Sequence, residues 1–226
     1  MCYTPEMSAA FAIIGAVMTY YMYKRRDKMK FVWIIFLFYT LMEVLQTLQF
    51  RTLNKCSSAE NQLLTQVALV FVIVQPLLWN YYFYTTKANN QFRRGVFTLG
   101  MVLSILWIVA YLMRYGGWEK GDGEDMMRGP LCTRKEGDEH FYWTFPMSKD
   151  HALTANFFMY LAIWFIPLFF SDDGASGAVW IVAGALLAYA LATRTKKARM
   201  TFASTWCYIS VPLLIIGFFY MINEKA

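Results

Sequence analysis

The sequence predicts an all-α integral membrane protein, a seven-helix bundle that forms a single transmembrane domain over residues 1–226. Only 16% of the residues are charged and 58% are hydrophobic, whereas about a quarter of a soluble domain is charged. Seven apolar runs approach the length of about 20 residues that a helix needs to cross a bilayer. Aromatic residues make up 19% of the chain, and Trp and Tyr favour membrane interfaces.

The predicted spans follow one another with short connections. They cover residues 8–23, 31–50, 63–84, 95–113, 152–170, 176–193 and 201–222. The long connection is loop 114–151, between the fourth and fifth spans, which we call the cap. With seven spans the cap shares a face with the N-terminus, and we expect it to cover that face.

The distribution of basic residues predicts the orientation. The cluster KRRDKMK follows the first apolar run instead of preceding it, which is typical of a spanning helix and not of a cleavable signal peptide. Five Lys or Arg lie in 24–30 and three in 87–94, against two in 51–62. These early loops predict an N-terminus outside the cell membrane. The four basic residues of 194–199 conflict with that orientation, because seven spans place them outside.

The net charge of +6 does not indicate a nucleic-acid partner, because the basic residues lie in short clusters beside apolar runs. The expected partner is the lipid bilayer, and association with further copies of the chain is left open. The basic 194–199 loop and the acidic cap share one face, so they either lie together or are solvated independently. The acidic residues of the cap are Glu119, Asp122, Glu124, Asp125, Glu136, Asp138 and Glu139.

Three of the four cysteines fall on the face of the cap. If that face is oxidising, a disulfide between Cys56 and Cys132 would tie the second loop to the cap, and Cys2–Cys132 is the rival pairing. Free thiols are the other alternative. Cys207 lies inside the last span.

Prolines and small residues predict how the helices bend and pack. Pro76, Pro167 and Pro212 lie within the third, fifth and seventh spans, and each removes a backbone hydrogen bond, so we expect kinks there. Small residues four apart allow helices to approach closely in lipid. They are Gly184, Ala188 and Ala192 on the sixth span and Ser8, Ala12 and Ala16 on the first.

Glu43 is the only Asp, Glu, Lys or Arg inside any of the apolar runs. An ionisable group in hydrocarbon is costly unless it faces a partner or water, so it is a functional-site hypothesis by default. Gln46 and Thr47 share its helix face, and Gln75 and Asn80 on the antiparallel third span are expected to meet it. The alternative is a structural hydrogen-bond cluster around a neutral carboxyl.

The two histidines, His140 and His151, lie at the end of the cap, on either side of the aromatic run FYWTF that contains Trp143. No tight metal-ligand spacing accompanies them, and zinc sites take three or four ligands. We therefore expect no bound metal and an aromatic cap in which the histidines are interfacial or solvated.

Several cofactor and catalytic classes are excluded by what the spans lack. A retinal Schiff base needs a Lys in a span and none is present, so no retinal is expected. The chain also has no GxSxG and no Gly-rich phosphate loop. No cofactor is predicted.

Four segments, MCYTPEMS, FYTLMEVLQTLQF, NQLLTQ…VQPLLWN and LC…EHFYWTFPM, resemble an uncharacterised family of small polytopic membrane proteins from bacteria and large DNA viruses. Members begin Met-Cys-aromatic-Ser, and Thr4 stands here in place of that Ser. The resemblance covers residues 1–146 in patches and implies no activity. It singles out Cys2, Glu43, Gln46, Cys56, Gln75, Pro76, Cys132, His140 and Trp143.

The leading functional hypothesis is a channel or transporter for protons, small ions or small polar solutes. Glu43 would titrate or coordinate, Gln46 and Gln75 would be its polar partners, and His140 would act as a gate. One alternative is a membrane-embedded metal-dependent lipid hydrolase that uses Glu43, His140 and His151. Another is a receptor or assembly protein that binds through the cap.

Overall fold

The computed structural model is mostly helical, in agreement with the predicted all-α class. It describes residues 4–29, 31–124, 127–136, 140–149, 155–171, 174–194 and 198–225. Its helices are α1 Pro5–Lys24, α2 Arg26–Met29, α3 Val32–Gln49, α4 Ala59–Thr86, α5 Gln91–Leu112, α6 Phe157–Phe165, α7 Gly174–Ala192 and α8 Ala198–Lys225. Apart from the single turn of α2, each helix lies over one of the predicted apolar runs.

Local capping explains where several helices begin. Thr4, Asn90 and Asn156 precede α1, α5 and α6, and each side chain accepts a hydrogen bond from a backbone N–H three residues later. The first turn of a helix leaves its N–H groups without intrahelical partners, and short polar side chains satisfy one of them. The first residues of these three helices are therefore determined by the local sequence.

The three prolines affect their helices differently. Pro76 and Pro212 lie inside α4 and α8, which continue past them. Pro167 instead follows the end of α6, where the chain tightens into a 3₁₀ segment, Ile166–Phe170. Because proline has no N–H, the carbonyls four residues before Pro76 and Pro167 lose their intrahelical donors.

The helices pack mainly against their neighbours in the chain. α1 lies along α3, α4 lies between α3 and α5, and α7 lies along α8. Gly15 of α1 faces Thr40 of α3 so closely that an added Cβ would lie 2.5 Å from the Thr40 hydroxyl. Gly184 of α7 likewise approaches Leu213 of α8. The predicted stripe on the sixth span is a contact face, whereas Ala16 of the first span's stripe is exposed.

The described part of the cap contains an antiparallel hairpin of two strands, β1 Cys132–Arg134 and β2 Tyr142–Thr144. Cys132 is paired with Thr144 and Arg134 with Tyr142. β1 contacts α4, and the aromatic residues of FYWTF are almost completely buried. The cap is therefore packed onto one end of the bundle, which we call the cap end.

Three helical segments among the described residues are long and apolar enough to cross a membrane. They are Val32–Thr52, Ala59–Thr86 and Gln91–Leu112. Shorter apolar helical segments are Phe157–Phe170, Val182–Ala192 and Ile209–Phe219. Length and composition therefore allow a membrane location.

Candidate functional site

Glu43 lies on the side of α3 that faces α1 and α8. Its residue is 2% exposed, and it borders a cavity of about 20 Å³ lined by apolar side chains such as Phe11, Val211 and Ile215. We call this the Glu43 pocket. Neither carboxyl oxygen of Glu43 has a hydrogen-bond partner within the part of the chain that the structure describes. The fold therefore buries this acid in an apolar contact of three helices.

The hydroxyls beside Glu43 bond to backbone carbonyls. Thr47 donates to the Glu43 carbonyl at 2.9 Å, and Thr40 donates to the Phe36 carbonyl at 2.7 Å. Thr40 also lies 3.3 Å from the Thr19 hydroxyl of α1. Threonine in a helix commonly bonds the preceding turn in this way. Gln46, one turn after Glu43, is completely buried.

Ser8 of α1 adds a polar atom to the same contact between α1 and α3. Gly15 faces Thr40, so Ser8, two turns earlier on an antiparallel helix, is level with Thr47. Ser8 is 0% exposed, and among the described residues nothing hydrogen-bonds to its hydroxyl. The sequence indicated Ser8 only as a small packing residue, and its serine identity in an apolar helix was the missed signal.

Gln75 belongs to the contact between α4 and α6. The Tyr160 hydroxyl lies 2.7 Å from Gln75 Oε1 and 3.1 Å from the Val72 carbonyl, the carbonyl that Pro76 deprives of its donor. The Gln75 amide also points to Met42 Sδ, at 3.9 Å. The Tyr160 hydroxyl thus supplies a donor for the carbonyl that Pro76 leaves without one, and Gln75 Oε1 is a second acceptor for the same hydroxyl.

Asn80 likewise supplies a donor for the carbonyl of α6 that Pro167 leaves without one. Its amide donates to the Ile163 carbonyl at 3.1 Å, the group that Pro167 leaves without a donor, and to the Pro76 carbonyl at 2.8 Å. The two amides therefore join α4 to α6. The expected meeting of Glu43 with them is not formed, because Glu43 faces the other side of the bundle.

A hydrogen-bonded junction joins the cap to the helix ends, and of its residues only Trp143 was a predicted site residue. Thr133 is its centre: its hydroxyl lies 2.7 Å from that of Thr65, and its backbone exchanges two hydrogen bonds with the Asn61 side chain, each 3.1 Å. Gln49 donates to the Thr133 hydroxyl at 3.0 Å and accepts from Trp143 Nε1 at 3.2 Å. Trp143 therefore fixes the cap to α3.

A disulfide joins Cys56 to Cys132 and so links the loop after α3 to β1. The rival residue Cys2 lies outside the described residues. His140, the proposed gate, is 3% exposed, so the expectation that it is interfacial or solvated is wrong: the cap encloses it. His151 lies outside the described residues. The described residues contain no group of three or more His, Cys, Asp or Glu placed to hold a metal.

A larger cavity, of about 320 Å³, lies beneath the cap between α4, α5 and α6. We call it the cap cavity. Three basic residues border it, Arg114, Arg128 and Lys149. The sequence analysis did not identify them as site residues, because it interpreted basic residues only as indicators of the orientation of the chain in the membrane. The position of Arg114 directly after the fourth apolar run was the available signal.

Residues 6–226 match the family model described as "Family of unknown function (DUF5765)". The chain belongs to this family. An uncharacterized protein of Acanthamoeba polyphaga mimivirus is 27% identical over 238 residues, covering 96% of this chain and 95% of that protein. The predicted membership of an uncharacterised family found in large DNA viruses is confirmed. No solved structure matches the chain.

Proposed function

We propose that this member of the family is a seven-span integral protein of the cell membrane that moves protons, small ions or small polar solutes. Glu43 is its proton-exchanging or ion-coordinating group, and the N-terminus and the cap lie on the outer side. One observation carries the proposal. A buried carboxyl inside a predicted span has neither hydrogen-bond nor salt-bridge partner among the described residues.

The energetic argument starts from the cost of that arrangement. A buried polar group without a partner is unfavourable by about 1–3 kcal/mol even when it is neutral. Apart from Tyr39 and Thr40, the other residues that line the Glu43 pocket are apolar, so a Leu would pack there without that cost. The presence of an acid at this position is explained if a proton or cation reaches the carboxyl during function.

The polar atoms of α1 and α3 supply a local route for such an ion. Ser8 and Thr47 lie level with each other at the contact between α1 and α3, on the cap side of Glu43, and Gln46 is buried in the same turn of α3. Gln75 and Asn80 are not on this route, because both bond to α6: Gln75 Oε1 accepts from the Tyr160 hydroxyl, and the Asn80 amide donates to the Ile163 carbonyl.

The test is flux in proteoliposomes made with the purified full-length chain. An imposed pH or cation gradient should dissipate faster than in protein-free vesicles. Glu43→Gln should reduce the rate to that of protein-free vesicles, because the amide cannot exchange a proton at this site. Glu60→Gln is the matched control, since Glu60 is an exposed acid in the first turn of α4.

Unchanged flux in Glu43→Gln, with the same thermal unfolding as the unmodified chain, would overturn the proposal. Absence of flux for the unmodified chain under both gradients, after confirmed reconstitution, would also overturn it.

A further inference from the structure

The cap cavity has a charged end and an apolar end. At about 320 Å³ it is within the range of small-molecule sites. Among the described residues, the ionisable groups on its wall other than tyrosine are the cations Arg114, Arg128 and Lys149, and all three come from the cap side. Ile73 of α4 and Phe157 of α6 line the opposite, apolar part. The cavity therefore matches an amphiphile, with its charged end suited to a headgroup and its apolar end suited to an apolar chain.

The two arginines are held in place by backbone oxygens. Arg114 donates from Nη1 to the Ala155 carbonyl at 2.6 Å and from Nη2 to the Ser148 carbonyl at 2.5 Å. Arg128 donates from Nε to the Met147 carbonyl at 3.0 Å. Neither residue is more than 9% exposed. Their guanidinium groups are thus positioned before any ligand arrives.

Arg128 also has a carboxylate partner. Its Nη2 donates to Asp122 at 2.8 Å, and its Nη1 donates to the Gly123 carbonyl at 2.6 Å. These bonds leave further N–H donors on the guanidinium, which carries more donors than the bonds use. Lys149 is exposed, so the charged end reaches the surface of the cap. Asp122 offsets one of the three positive charges on the wall.

Aromatic rings form the wall between the two ends. Trp107 and Tyr111 are stacked with centroids 4.7 Å apart, and the Arg114 guanidinium lies 5.7 Å from the Tyr111 ring centroid. A smaller apolar cavity shares Phe157 and Tyr160 with the cap cavity and continues towards α7 and α8. An apolar chain that enters past Trp107 therefore meets mainly aromatic and aliphatic side chains.

We propose that the cap cavity binds an amphipathic anion, with a phosphate or carboxylate at Arg114, Arg128 and Lys149 and an apolar chain along the rings of α5 and α6. Guanidinium groups pair with phosphate and carboxylate through paired, charge-assisted hydrogen bonds, and such pairs strengthen where water is partly excluded. The anion is either the headgroup of a membrane lipid or a soluble amphiphile. The site does not involve Glu43, and the proposal is independent of transport.

The experiment measures binding of octyl phosphate to the purified full-length chain in a nonionic maltoside detergent. Thermal unfolding reports binding, because a ligand of the folded state raises the midpoint with its concentration. Octyl glucoside, which has the same chain and no charge, is the matched neutral probe. Native mass spectrometry with phosphatidylglycerol and phosphatidylcholine is the second arm.

We expect octyl phosphate to raise the midpoint and octyl glucoside to leave it unchanged. Arg114→Gln and Arg128→Gln should each weaken binding roughly tenfold, the loss expected for a charge-assisted hydrogen bond. Arg51→Gln, an exposed arginine at the cap end, should bind as the unmodified chain does. Phosphatidylglycerol that is retained and displaced by octyl phosphate assigns the site to lipid. Octyl phosphate binding without retained phosphatidylglycerol assigns it to a soluble ligand.

Since both arginines also hold the cap, either variant could fail to fold. Two further variants, Lys149→Gln and Val72→Phe, test the proposal in that case, because both residues line the cap cavity. Lys149 is exposed and its loss should weaken binding about threefold. Val72→Phe narrows the apolar part and should weaken binding without changing charge. Equal binding of octyl phosphate by the unmodified chain, Lys149→Gln and Val72→Phe would overturn the proposal, as would equal midpoint shifts with octyl glucoside.

Discussion

The Glu43 pocket and the cap cavity both bury charged residue types, but they satisfy them in opposite ways. Arg114 and Arg128 are bonded to backbone carbonyls, and Arg128 has Asp122 in addition. Glu43 has no such bonds from the described residues and is surrounded by apolar side chains of α1 and α8. The cap cavity is preorganised around its charges, whereas the Glu43 pocket leaves its carboxyl without a hydrogen bond from the described residues.

This difference has consequences for stability. Removing one member of a satisfied polar network leaves its partners buried without bonds, which is costly. Removing a polar group that has no partner leaves nothing unsatisfied and relieves its own desolvation. Replacing a bonded polar side chain of the cap region and replacing Glu43 should therefore change stability with opposite signs. Thermal or denaturant unfolding in detergent measures these changes in stability.

The largest expected effect is at Asn61, in the junction between the cap and α4. Asn61→Leu removes the side-chain bonds to the Thr52 carbonyl and to both backbone groups of Thr133. Unfolding free energy should fall by about 3 kcal/mol, because several buried backbone groups lose their partners. Gln66→Leu is the control, since Gln66 is an exposed amide on the same helix. Equal losses in the two variants would show that the junction is not the cause.

The next effect concerns the close approach of α1 to α3, which encloses the Glu43 pocket. Gly15→Ala places a Cβ against the Thr40 hydroxyl and should lower unfolding free energy by about 2 kcal/mol through overpacking. Gly95→Ala, where an added Cβ meets nothing within 4 Å, should instead raise it by up to about 1 kcal/mol through helix propensity. The same sign for both variants would contradict this packing.

The third prediction is a gain of stability at Glu43 itself. Glu43→Leu should raise unfolding free energy by about 1 kcal/mol, because no side-chain hydrogen bond to a described residue is lost and most of the pocket lining is apolar. Transport should be lost in the same variant. A loss of stability comparable with that of Asn61→Leu would mean that Glu43 is a structural partner, and the contrast between the two regions would fail.

The smallest effect is the acid titration of Asp122 in the cap. A hydrogen bond from the Glu119 backbone N–H and the pairing with Arg128 hold the pKa of Asp122 below its ordinary value of 3.8. A lowered pKa stabilises the fold at all pH values above the ordinary one, and this contribution disappears as the pH falls through the lowered value. Asp122→Asn should therefore flatten the acid limb of the stability curve. An unchanged acid limb would rule out this contribution.

The sequence predicted the helices and the identity of the exceptional acid because both depend on composition within a single segment. Apolar runs of sufficient length became α1 and α3 to α8, and Glu43 was recognised as an isolated charge. The Pro167 position was flagged, although its outcome is a 3₁₀ segment that ends α6. Local chemistry was sufficient for each of these predictions.

The partners of Glu43 depended on how the helices are rotated and ordered in the bundle, which no single segment specifies. Gln75 and Asn80 face α6, where Gln75 Oε1 accepts from the Tyr160 hydroxyl and Asn80 donates to the Ile163 carbonyl that Pro167 leaves without a donor. The hairpin of the cap was also missed, since its two strands are only three residues each and show no alternation. A binding role for Arg114 and Arg128 could not be predicted from the sequence, because it depends on the cavity that the folded cap encloses.

The most direct test of the central claim is infrared difference spectroscopy of the reconstituted chain during a step in pH. If Glu43 exchanges a proton with water, the difference spectrum should contain a carboxylic-acid C=O band that is absent from Glu43→Gln and present in Glu60→Gln. Identical carboxyl bands in the unmodified chain and in Glu43→Gln would contradict the account.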